Sequence, residues 1–421
     1  MEWNAQKVRE AIEAFAFGHE ELLAAVEVFY SEMEKGLRGN NDSTLKPLSS
    51  YLGMPTGDEQ GEFITLDFGG TNVRAERVRL FGGGQYEQAA RVAKPLIVPG
   101  RYNHAGRSSS AEGLFGFLAE IIDSVLGGDH KTPYRLGHTF SFPSTQDSPR
   151  DAKLISWTKE LAVPDVEGRW VNERLNEALL RRGLSNVRPT AILNDTVAVL
   201  LAAAYQWDDV AVGSIYATGF NACYLETFSG KKPPMVMNLE AGNFGWLDQN
   251  EYDKALDAAS QKQGAQILEK MVSGRYLGLL FSRAFGDILG EPVPGVTGED
   301  LCHIIQGDGD ALICRLTGIS LTASQMKEIA ALAEAIVRRS ARIAAAVYAG
   351  MLRHIVGEDK MGAKNIAVEG SFFTHMAVAR LALRDALQEI LKEKAQNVQI
   401  LHVTGGASLG AAIAAAMMGD N

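Results

Sequence analysis

Hydrophobic positions recur along this chain with two spacings, one typical of helices and one typical of strands. Helical spacing begins near residue 5 and continues to 35, where the sequence Gly36-Leu-Arg-Gly-Asn-Asn-Asp interrupts it. An apolar strand at 63–66 and an alternating strand at 73–80 follow and predict a hairpin. The chain is therefore expected to begin with one or two helices and to continue into a sheet.

Strand and helix patterns alternate through the rest of the chain. Helical patterns cover 112–126, 251–290 and 322–351, and strand patterns cover 134–142, 191–193, 210–216, 222–225, 366–368 and 398–403. The strands at 210–216 and 222–225 form a second hairpin that repeats the first in outline. The alternation predicts an α/β fold with a duplicated architecture.

Length, composition and charge limit the classes of protein that this sequence can encode. A chain of 421 residues exceeds what one hydrophobic core usually supports, so we expect two lobes with a cleft between them. Apolar residues at 46% and charged residues at 22% are typical of a soluble globular enzyme. The net charge of −10 argues against nucleic acid as a partner, because the phosphate backbone requires a concentrated basic surface.

The cysteines and the first residues of the chain indicate a cytoplasmic protein. Cys223, Cys302 and Cys314 have no CxxC spacing, so neither a disulfide framework nor a zinc site is expected. The N-terminus lacks the basic and apolar regions of a signal peptide. No apolar run approaches the ~18 residues that a membrane span requires, so no membrane partner is expected.

The octapeptide Asp67-Phe-Gly-Gly-Thr-Asn-Val-Arg74 carries the strongest candidate chemistry, because it forms the turn of the first hairpin. Its glycines, Gly69 and Gly70, allow backbone N–H groups to approach an anion closely, and Thr71 adds a hydroxyl donor. The carboxylate of Asp67 is suited to holding a hydrated magnesium ion. These features predict a turn that binds nucleotide phosphate, and an ordinary Gly-Gly hairpin is the alternative.

Further polar segments are candidates for sugar or catalytic contacts, and each has a plainer alternative. Asn194-Asp195-Thr196 precedes an apolar helix, so a helix N-cap competes with a catalytic carboxylate. Ser141-Phe142-Pro143 also fits the end of an edge strand, and Lys159 also fits a solvated lysine. Glu240 and Glu269 also fit surface carboxylates. Glycine and apolar neighbours favour burial, and hence a function, more strongly for Asp195 and Glu240.

An ordered series of motifs from about Leu45 to Ala416 resembles the hexokinase family of sugar kinases. The octapeptide at 67–74 resembles the first phosphate segment, and Leu193-Asn-Asp-Thr-Val197 resembles the catalytic-base segment. The other resemblances are Thr139-Phe-Ser-Phe-Pro143 with Trp157-Thr-Lys159 for the sugar loop, Thr218-Gly-Phe-Asn-Ala-Cys-Tyr224 for the second phosphate segment, Asn238-Leu-Glu240 with Gly242 and Phe244-Gly245 for a second sugar loop, residues 269–278 for the remaining acidic sugar ligand, Val368-Glu-Gly-Ser371 for the adenosine loop, and Ser408-Leu-Gly-Ala-Ala412 for the closing helix.

The resemblance implies an actin-like (ribonuclease H-like) duplicated fold, with two lobes and a central cleft for sugar and nucleotide. The small α/β lobe would comprise residues 62–193 and 406–421, and the large α/β lobe residues 1–61 and 194–405. The implied activity is that of a hexokinase, which transfers the γ-phosphoryl group of ATP to the 6-hydroxyl of a hexose such as glucose in the first step of glycolysis. ATP and Mg²⁺ are the implied cofactors, and a monomer and a homodimer are both open.

The resemblance also implies roles for individual residues. Asp195 is the expected general base, and Lys159 is expected to polarise the sugar or to neutralise charge on the transferring group. The expected sugar-binding residues are Ser141, Phe142, Thr158, Lys159, Asn194, Asp195, Asn221, Glu240 and Glu269. The expected nucleotide-binding residues are Asp67, Gly69, Gly70, Thr71, Asn72, Arg74, Thr218, Gly219, Gly370 and Ser371, and Asp67 is also expected to hold Mg²⁺ through water.

Several positions depart from the family pattern and concern the nucleotide more than the sugar. These positions are Ala217 for a glycine, Phe220 for a small residue, Ala241 for a tryptophan, Glu369 for an aspartate, and Phe372-Phe373 after Ser371. The second functional hypothesis is a catalytically weak sugar-binding regulator, which loss of the base would mark. Asp195, Lys159 and both phosphate turns are nevertheless present. The preference among glucose, mannose, fructose and glucosamine stays open, because these sugars differ by one substituent or by ring geometry.

Overall fold

The structure is a computed structural model that describes residues 3–158, 161–228, 232–357 and 362–419. The chain divides into two compact units. The first unit comprises Met1–Pro47, Ser214–Ala222 and Leu239–His402, and the second unit comprises Leu48–Gly213, Cys223–Asn238 and Val403–Asn421. The lobe boundaries implied by the resemblance stay a prediction.

Helices and strands alternate over much of the described chain. The strands are β1 (Leu48–Ser49), β2 (Gln60–Phe68), β3 (Asn72–Gly82), β4 (Gln85–Pro95), β5 (Ile97–Val98), β6 (Tyr102–Asn103), β7 (Tyr134–Phe140), β8 (Ser144–Thr145), β9 (Lys153–Leu154), β10 (Val187–Leu193), β11 (Val210–Tyr216), β12 (Phe220–Glu226), β13 (Met235–Asn238), β14 (Lys364–Glu369) and β15 (Val398–His402). The helices are α1 (Ala5–Ala14), α2 (His19–Leu37), α3 (Ala111–Leu126), α4 (Val171–Arg181), α5 (Asp195–Gln206), α6 (Glu251–Ala258), α7 (Ile267–Val272), α8 (Gly274–Leu289), α9 (Gly298–Gln306), α10 (Asp310–Thr317), α11 (Ala323–Val356), α12 (Ser371–His375), α13 (Ala377–Leu391) and α14 (Gly406–Met417).

A five-stranded sheet in the order β10-β7-β2-β3-β4 lies in the second unit. The pairs β2–β7 and β7–β10 are parallel, whereas β2–β3 and β3–β4 are antiparallel. Buried side chains of α3 and α4 share one hydrophobic core with this sheet. Helix α14 approaches β7 so closely that a Cβ on Gly137 would lie 1.9 Å from the carbonyl oxygen of Ala411. Only glycine fits at position 137.

A six-stranded sheet has the order β1-β13-β12-β11-β14-β15. The pair β14–β15 is parallel, and the pairs β12–β13 and β1–β13 are antiparallel. The long helix α11 begins after Thr322, as its capping-box spacing predicts. The Thr322 hydroxyl accepts the N–H of Gln325 at 3.3 Å, and the Gln325 side chain accepts the N–H of Thr322 at 2.7 Å.

The predicted α/β fold class is confirmed, but the sequence patterns miss strand β4 and helix α4, and the helical pattern at 251–290 is divided into the three helices α6, α7 and α8. Strand β4 pairs with β3 over most of its length, but most of its residues are exposed, so it lacks the apolar alternation that identifies a half-buried strand. The helical region at 5–35 consists of two helices, α1 and α2, as expected. Across the described ranges, the helices lack the combination of length and apolar content that a membrane span requires.

Candidate active site

The first predicted phosphate turn connects β2 to β3 in the second unit. The backbone N–H of Gly69 donates to the carbonyl oxygen of Asn72 at 3.3 Å, and the carbonyl of Thr71 accepts the N–H of Leu96 at 2.9 Å. Gly69 does not have a left-handed φ, so the turn itself does not require glycine there. The exposed Thr71 is accessible to an anion, which fits the proposed phosphate contact.

Asp67 lies at the end of β2 and forms an ion pair with Arg74 across the hairpin, with Arg74 Nη1 2.8 Å from Asp67 Oδ2. Asp67 is buried, whereas the Arg74 side chain is 42% exposed. Among the described residues, no group of three or more His, Cys, Asp or Glu side chains is arranged to hold a metal ion. The single carboxylate of Asp67 therefore fits Mg²⁺ only if substrate phosphates and water supply the other ligands, which is the usual arrangement for this ion.

The predicted sugar loop is built around an aromatic cluster in the second unit. The Phe142 ring lies 5.2 Å from the Phe68 ring and 5.1 Å from the Trp157 ring, in edge-to-face contacts. These contacts join the segment with Ser141 and the segment with Thr158 to the end of β2, where the first phosphate turn begins. Ser141 and Thr158 are both partly exposed. Lys159 lies outside the described residues.

Asn194 and Asp195 lie where β10 ends and helix α5 begins. Asn194 is the N-cap, because its side-chain oxygen accepts the N–H of Thr196 at 2.9 Å. The carboxylate of Asp195 also accepts that N–H at 2.9 Å, and Asp195 is only partly buried. The capping alternative is thus confirmed for Asn194. With Asn194 as the cap, Asp195 is not required as the N-cap.

A buried thiol packs behind this helix terminus. Cys223 Sγ lies 3.0 Å from the carbonyl oxygen of Thr196 and donates to it. Burial raises the pKa of the Cys223 thiol far above its ordinary value, and the negative charge of Asp195 adds to the effect. Cys223 is therefore a neutral donor that supports the first turn of α5, a role that its sequence position does not reveal.

The second predicted phosphate turn, Ala217-Thr218-Gly219, is held by helix α8 within the first unit. The N–H groups of Gly274 and Arg275 donate to the carbonyls of Ala217 and Thr218, at 2.8 and 3.3 Å. A Cβ on Gly219 would lie 3.0 Å from Glu269 Oε2, so the glycine gives the carboxylate room. The predicted phosphate segment and the predicted acidic sugar ligand are therefore in direct proximity.

Three predicted sugar ligands of the first unit come together at this turn. Glu269 on α7 accepts the backbone N–H of Phe220 at 3.2 Å through Oε2. Asn221 Oδ1 accepts the N–H of Ala241 at 2.9 Å, so it lies beside Glu240 in the chain segment that follows β13. Carboxylates accept hydrogen bonds and an amide both donates and accepts, which is the mixture that sugar hydroxyls require.

The predicted adenosine loop also lies in the first unit. Its packing explains how the structure accommodates Phe372 and Phe373, which depart from the family pattern. A Cβ on Gly370 would lie 2.3 Å from the carbonyl oxygen of Tyr216, so this loop packs against the end of β11. The rings of Phe372 and Phe373 lie 5.2 and 6.1 Å from the Tyr216 ring. The two phenylalanines therefore pack on Tyr216, whereas Ser371 begins the short helix α12 and is exposed.

Known proteins resemble this chain over nearly its whole length. Two family models, both described as hexokinase, match residues 7–205 and 211–417. Hexokinase-1 of Oryza sativa subsp. japonica is 35% identical, over 97% of this chain and 90% of that protein. A crystal structure of a hexokinase is 30% identical with a TM-score of 0.88, over 98% of this chain and 99% of the other. A Schistosoma mansoni hexokinase in complex with glucose is 28% identical with a TM-score of 0.79, over 98% of each chain.

Proposed function

This chain belongs to the hexokinase family, and we propose that it transfers the γ-phosphoryl group of ATP to the 6-hydroxyl of glucose or a closely related hexose. Membership makes it a hexose kinase with the actin-like fold of the sugar kinases. The single observation that carries the detailed proposal is the group formed by Asn221, Glu240 and Glu269 beside the second phosphate turn. This group offers acidic and amide contacts to a polyhydroxylated ligand next to a turn suited to phosphate.

The proposed sugar contacts follow from the hydrogen-bonding character of the side chains. Asn221, Glu240 and Glu269 would bind sugar hydroxyls from the first unit. The order of the sequence motifs supports the remaining proposed sugar-binding residues, which are Ser141, Phe142, Thr158, Lys159, Asn194 and Asp195. Phe142 is buried in its aromatic cluster, so its role would be to hold Ser141 in position rather than to bond the sugar.

The proposed chemistry is an in-line transfer. The sugar 6-hydroxyl oxygen forms a bond to the γ-phosphorus, the bond between that phosphorus and the β,γ-bridging oxygen breaks, and ADP leaves. Asp195 would accept the hydroxyl proton. Thr71 and Thr218, with the N–H groups of their turns, would bind the phosphates. Mg²⁺ would neutralise phosphate charge, and Asp67 would hold it through water.

We also propose the cytoplasm as the location of the protein. Cys223, Cys302 and Cys314 are free thiols, which suits a reducing compartment. Fractionation of the source cells with an antibody against this chain tests the location.

Replacement of Asp195 tests the reaction and separates it from a regulator that only binds sugar. Asp195→Asn should lower kcat by at least ~10²-fold, the usual size of a lost general base, while glucose affinity measured by calorimetry changes little. Asp58→Asn, at an exposed aspartate of the same unit, is the matched control and should keep wild-type turnover. Normal turnover by Asp195→Asn would show that Asp195 only supports the helix terminus. A wild-type chain that binds glucose without turnover would favour the regulator.

A further inference from the structure

Two buried chains of hydrogen bonds, here called relays, connect helix α11 to Ser214 and Tyr216 at the end of strand β11, and each relay contains one tyrosine and one serine. In the first relay, the Tyr216 hydroxyl bonds the Ser340 hydroxyl, which donates to the carbonyl of Val272 at 2.7 Å. In the second relay, the Tyr348 hydroxyl donates to Ser214 Oγ at 2.8 Å, and Ser214 donates to the carbonyl of Asn221 at 2.7 Å. The two tyrosines and two serines are fully buried, with no exposed surface.

The direction of each relay is fixed by its last atom. A carbonyl oxygen only accepts, so each serine must donate its hydroxyl proton to the carbonyl, and each tyrosine must donate to the serine oxygen. Burial raises the pKa of the Tyr216 and Tyr348 phenols far above their ordinary value, so both stay protonated donors across the physiological range. In each relay the hydrogen bonds therefore run in one direction, from the tyrosine through the serine to the carbonyl oxygen.

The two relays end on the segments that carry the proposed sugar ligands. The second relay ends on Asn221 itself, whose side-chain oxygen accepts the N–H next to Glu240. The first relay ends on Val272, the last residue of α7, and the same short helix carries Glu269. The ring of Tyr216 additionally packs on Phe372 of the adenosine loop.

We propose that Tyr216–Ser340 and Tyr348–Ser214 are positioning pairs for phosphoryl transfer, which hold Glu269 and Asn221 in the arrangement that binds the sugar. This inference rests on the proposed function, because it assigns a purpose to bonds that end at the proposed sugar ligands. A buried carbonyl needs a donor, and the Ser340 hydroxyl supplies it at the last residue of the six-residue helix α7. The Lys270 side chain anchors the same helix through bonds to Asp257, Ser260 and the Lys262 carbonyl, so the Ser340 bond adds a fixed point at the C-terminal end. Small displacements of contact groups cost large factors in rate when a reaction depends on orientation.

The test removes one hydroxyl at a time without changing ring packing. Tyr216→Phe and Tyr348→Phe should each raise the glucose KM and lower kcat/KM for glucose about 10-fold, with ATP KM nearly unchanged. The matched control is Tyr252→Phe, because Tyr252 is also buried in the first unit but stacks on Phe15, the residue after α1, instead of bonding these segments. Its glucose KM should equal that of the wild type, and thermal unfolding should show that all three variants are folded.

A double-mutant cycle distinguishes a serial relay from general loss of stability. Because the hydroxyl of Tyr348 reaches Asn221 through Ser214, and the Phe variant keeps the ring, Tyr348→Phe/Ser214→Ala should lose no more kcat/KM than Ser214→Ala alone. Tyr348→Phe/Tyr216→Phe, which interrupts both relays, should lose the product of the single factors. Multiplicative losses within one relay would overturn the inference, as would relay variants that keep the glucose KM of Tyr252→Phe. A wild-type chain that phosphorylates no hexose would instead overturn the proposed function.

Discussion

At the scale of single residues, Glu240 combines a rare backbone conformation with a proposed sugar-binding position. Its φ of 50° and ψ of 47° are left-handed, which non-glycine residues adopt at a cost of about 1–3 kcal/mol. Neighbouring bonds hold it there, because the N–H of Leu239 donates to the Ala222 carbonyl at 3.0 Å and the N–H of Ala241 donates to Asn221. A conformation that the surroundings enforce in this way is typical of residues that bind ligands.

Glu240→Gln tests whether that carboxylate binds the sugar. The substitution keeps the shape of the side chain but removes its charge, so kcat/KM for glucose should fall about 10- to 100-fold, the effect of losing a charged hydrogen bond. The affinity of the free enzyme for ATP, measured by calorimetry, should change little. Glu299→Gln, at an exposed glutamate of the same unit, should behave as wild type. Equal losses of sugar and nucleotide affinity would indicate that Glu240 has a different role.

Residue-scale features were predictable from sequence only where neighbouring positions carry the signal. The segment Thr218-Gly-Phe-Asn has its polar and glycine residues together, so the sequence predicts a turn there, and phosphate binding by this turn stays a prediction. Ser340 and Tyr348 lie within the helical pattern at 322–351, which predicts a helix but no hydroxyl pairing, and their partners are 124 and 134 residues away in sequence. These hydroxyl groups meet only because α11 packs against β11. Hydrophobic periodicity does not show which helix packs against which strand.

At the scale of elements, a buried histidine and asparagine join β7, α4 and β10 in the second unit. His138 Nδ1 donates to Asn172 Oδ1, 2.9 Å away. The Asn172 amide donates to the carbonyl of Arg150 at 2.7 Å and lies 3.4 Å from that of Ala191. Strand β7 leads to Ser141 and strand β10 leads to Asp195, so one asparagine connects the elements that deliver both residues. The hydrophobic patterns predict these strands but not the His138–Asn172 pair that joins them.

His138 should make the stability of the protein sensitive to acid. Burial lowers its pKa to about 4, whereas an unfolded histidine titrates near 6.5. Between these pH values the unfolded state binds more protons than the folded state. The contribution of His138 to the free energy of unfolding is therefore fully present above about pH 6.5, and about 3 kcal/mol of it is lost as the pH falls toward 4. Chemical unfolding of wild type and His138→Gln at several pH values checks this.

The difference in unfolding free energy between wild type and His138→Gln should shrink as the pH falls from 7 to 4.5. His130→Gln, at a histidine that is half exposed in the same unit, is the control and should follow the wild-type profile more closely. Parallel pH profiles for wild type and His138→Gln would show that His138 does not govern this acid sensitivity.

At the scale of the whole molecule, the chain consists of two compact units, and the sequence predicted two bodies from length alone. The residues at which one unit ends and the other begins were harder to predict, because two of these boundaries fall inside continuous strands. The unit boundary at 213–214 falls inside β11, and the boundary at 222–223 falls inside β12. Hydrophobic patterns identify each of these strands as a single element. They do not show that its two ends belong to different units.

Sugar binding should stabilise the folded chain as a whole. A ligand that binds only the native state contributes RT ln(1 + [L]/Kd), about 2.7 kcal/mol at 100 times Kd, which raises the thermal midpoint in a concentration-dependent way. Glucose should therefore raise the midpoint of the wild type and of Asp195→Asn, because the asparagine amide can still hydrogen-bond the sugar hydroxyl although it cannot act as a base. Glu269→Gln should largely abolish the shift, because Glu269 is a proposed ligand. Sorbitol at equal concentration controls for the general stabilisation by polyols, and an identical rise with sorbitol and glucose would contradict specific sugar binding.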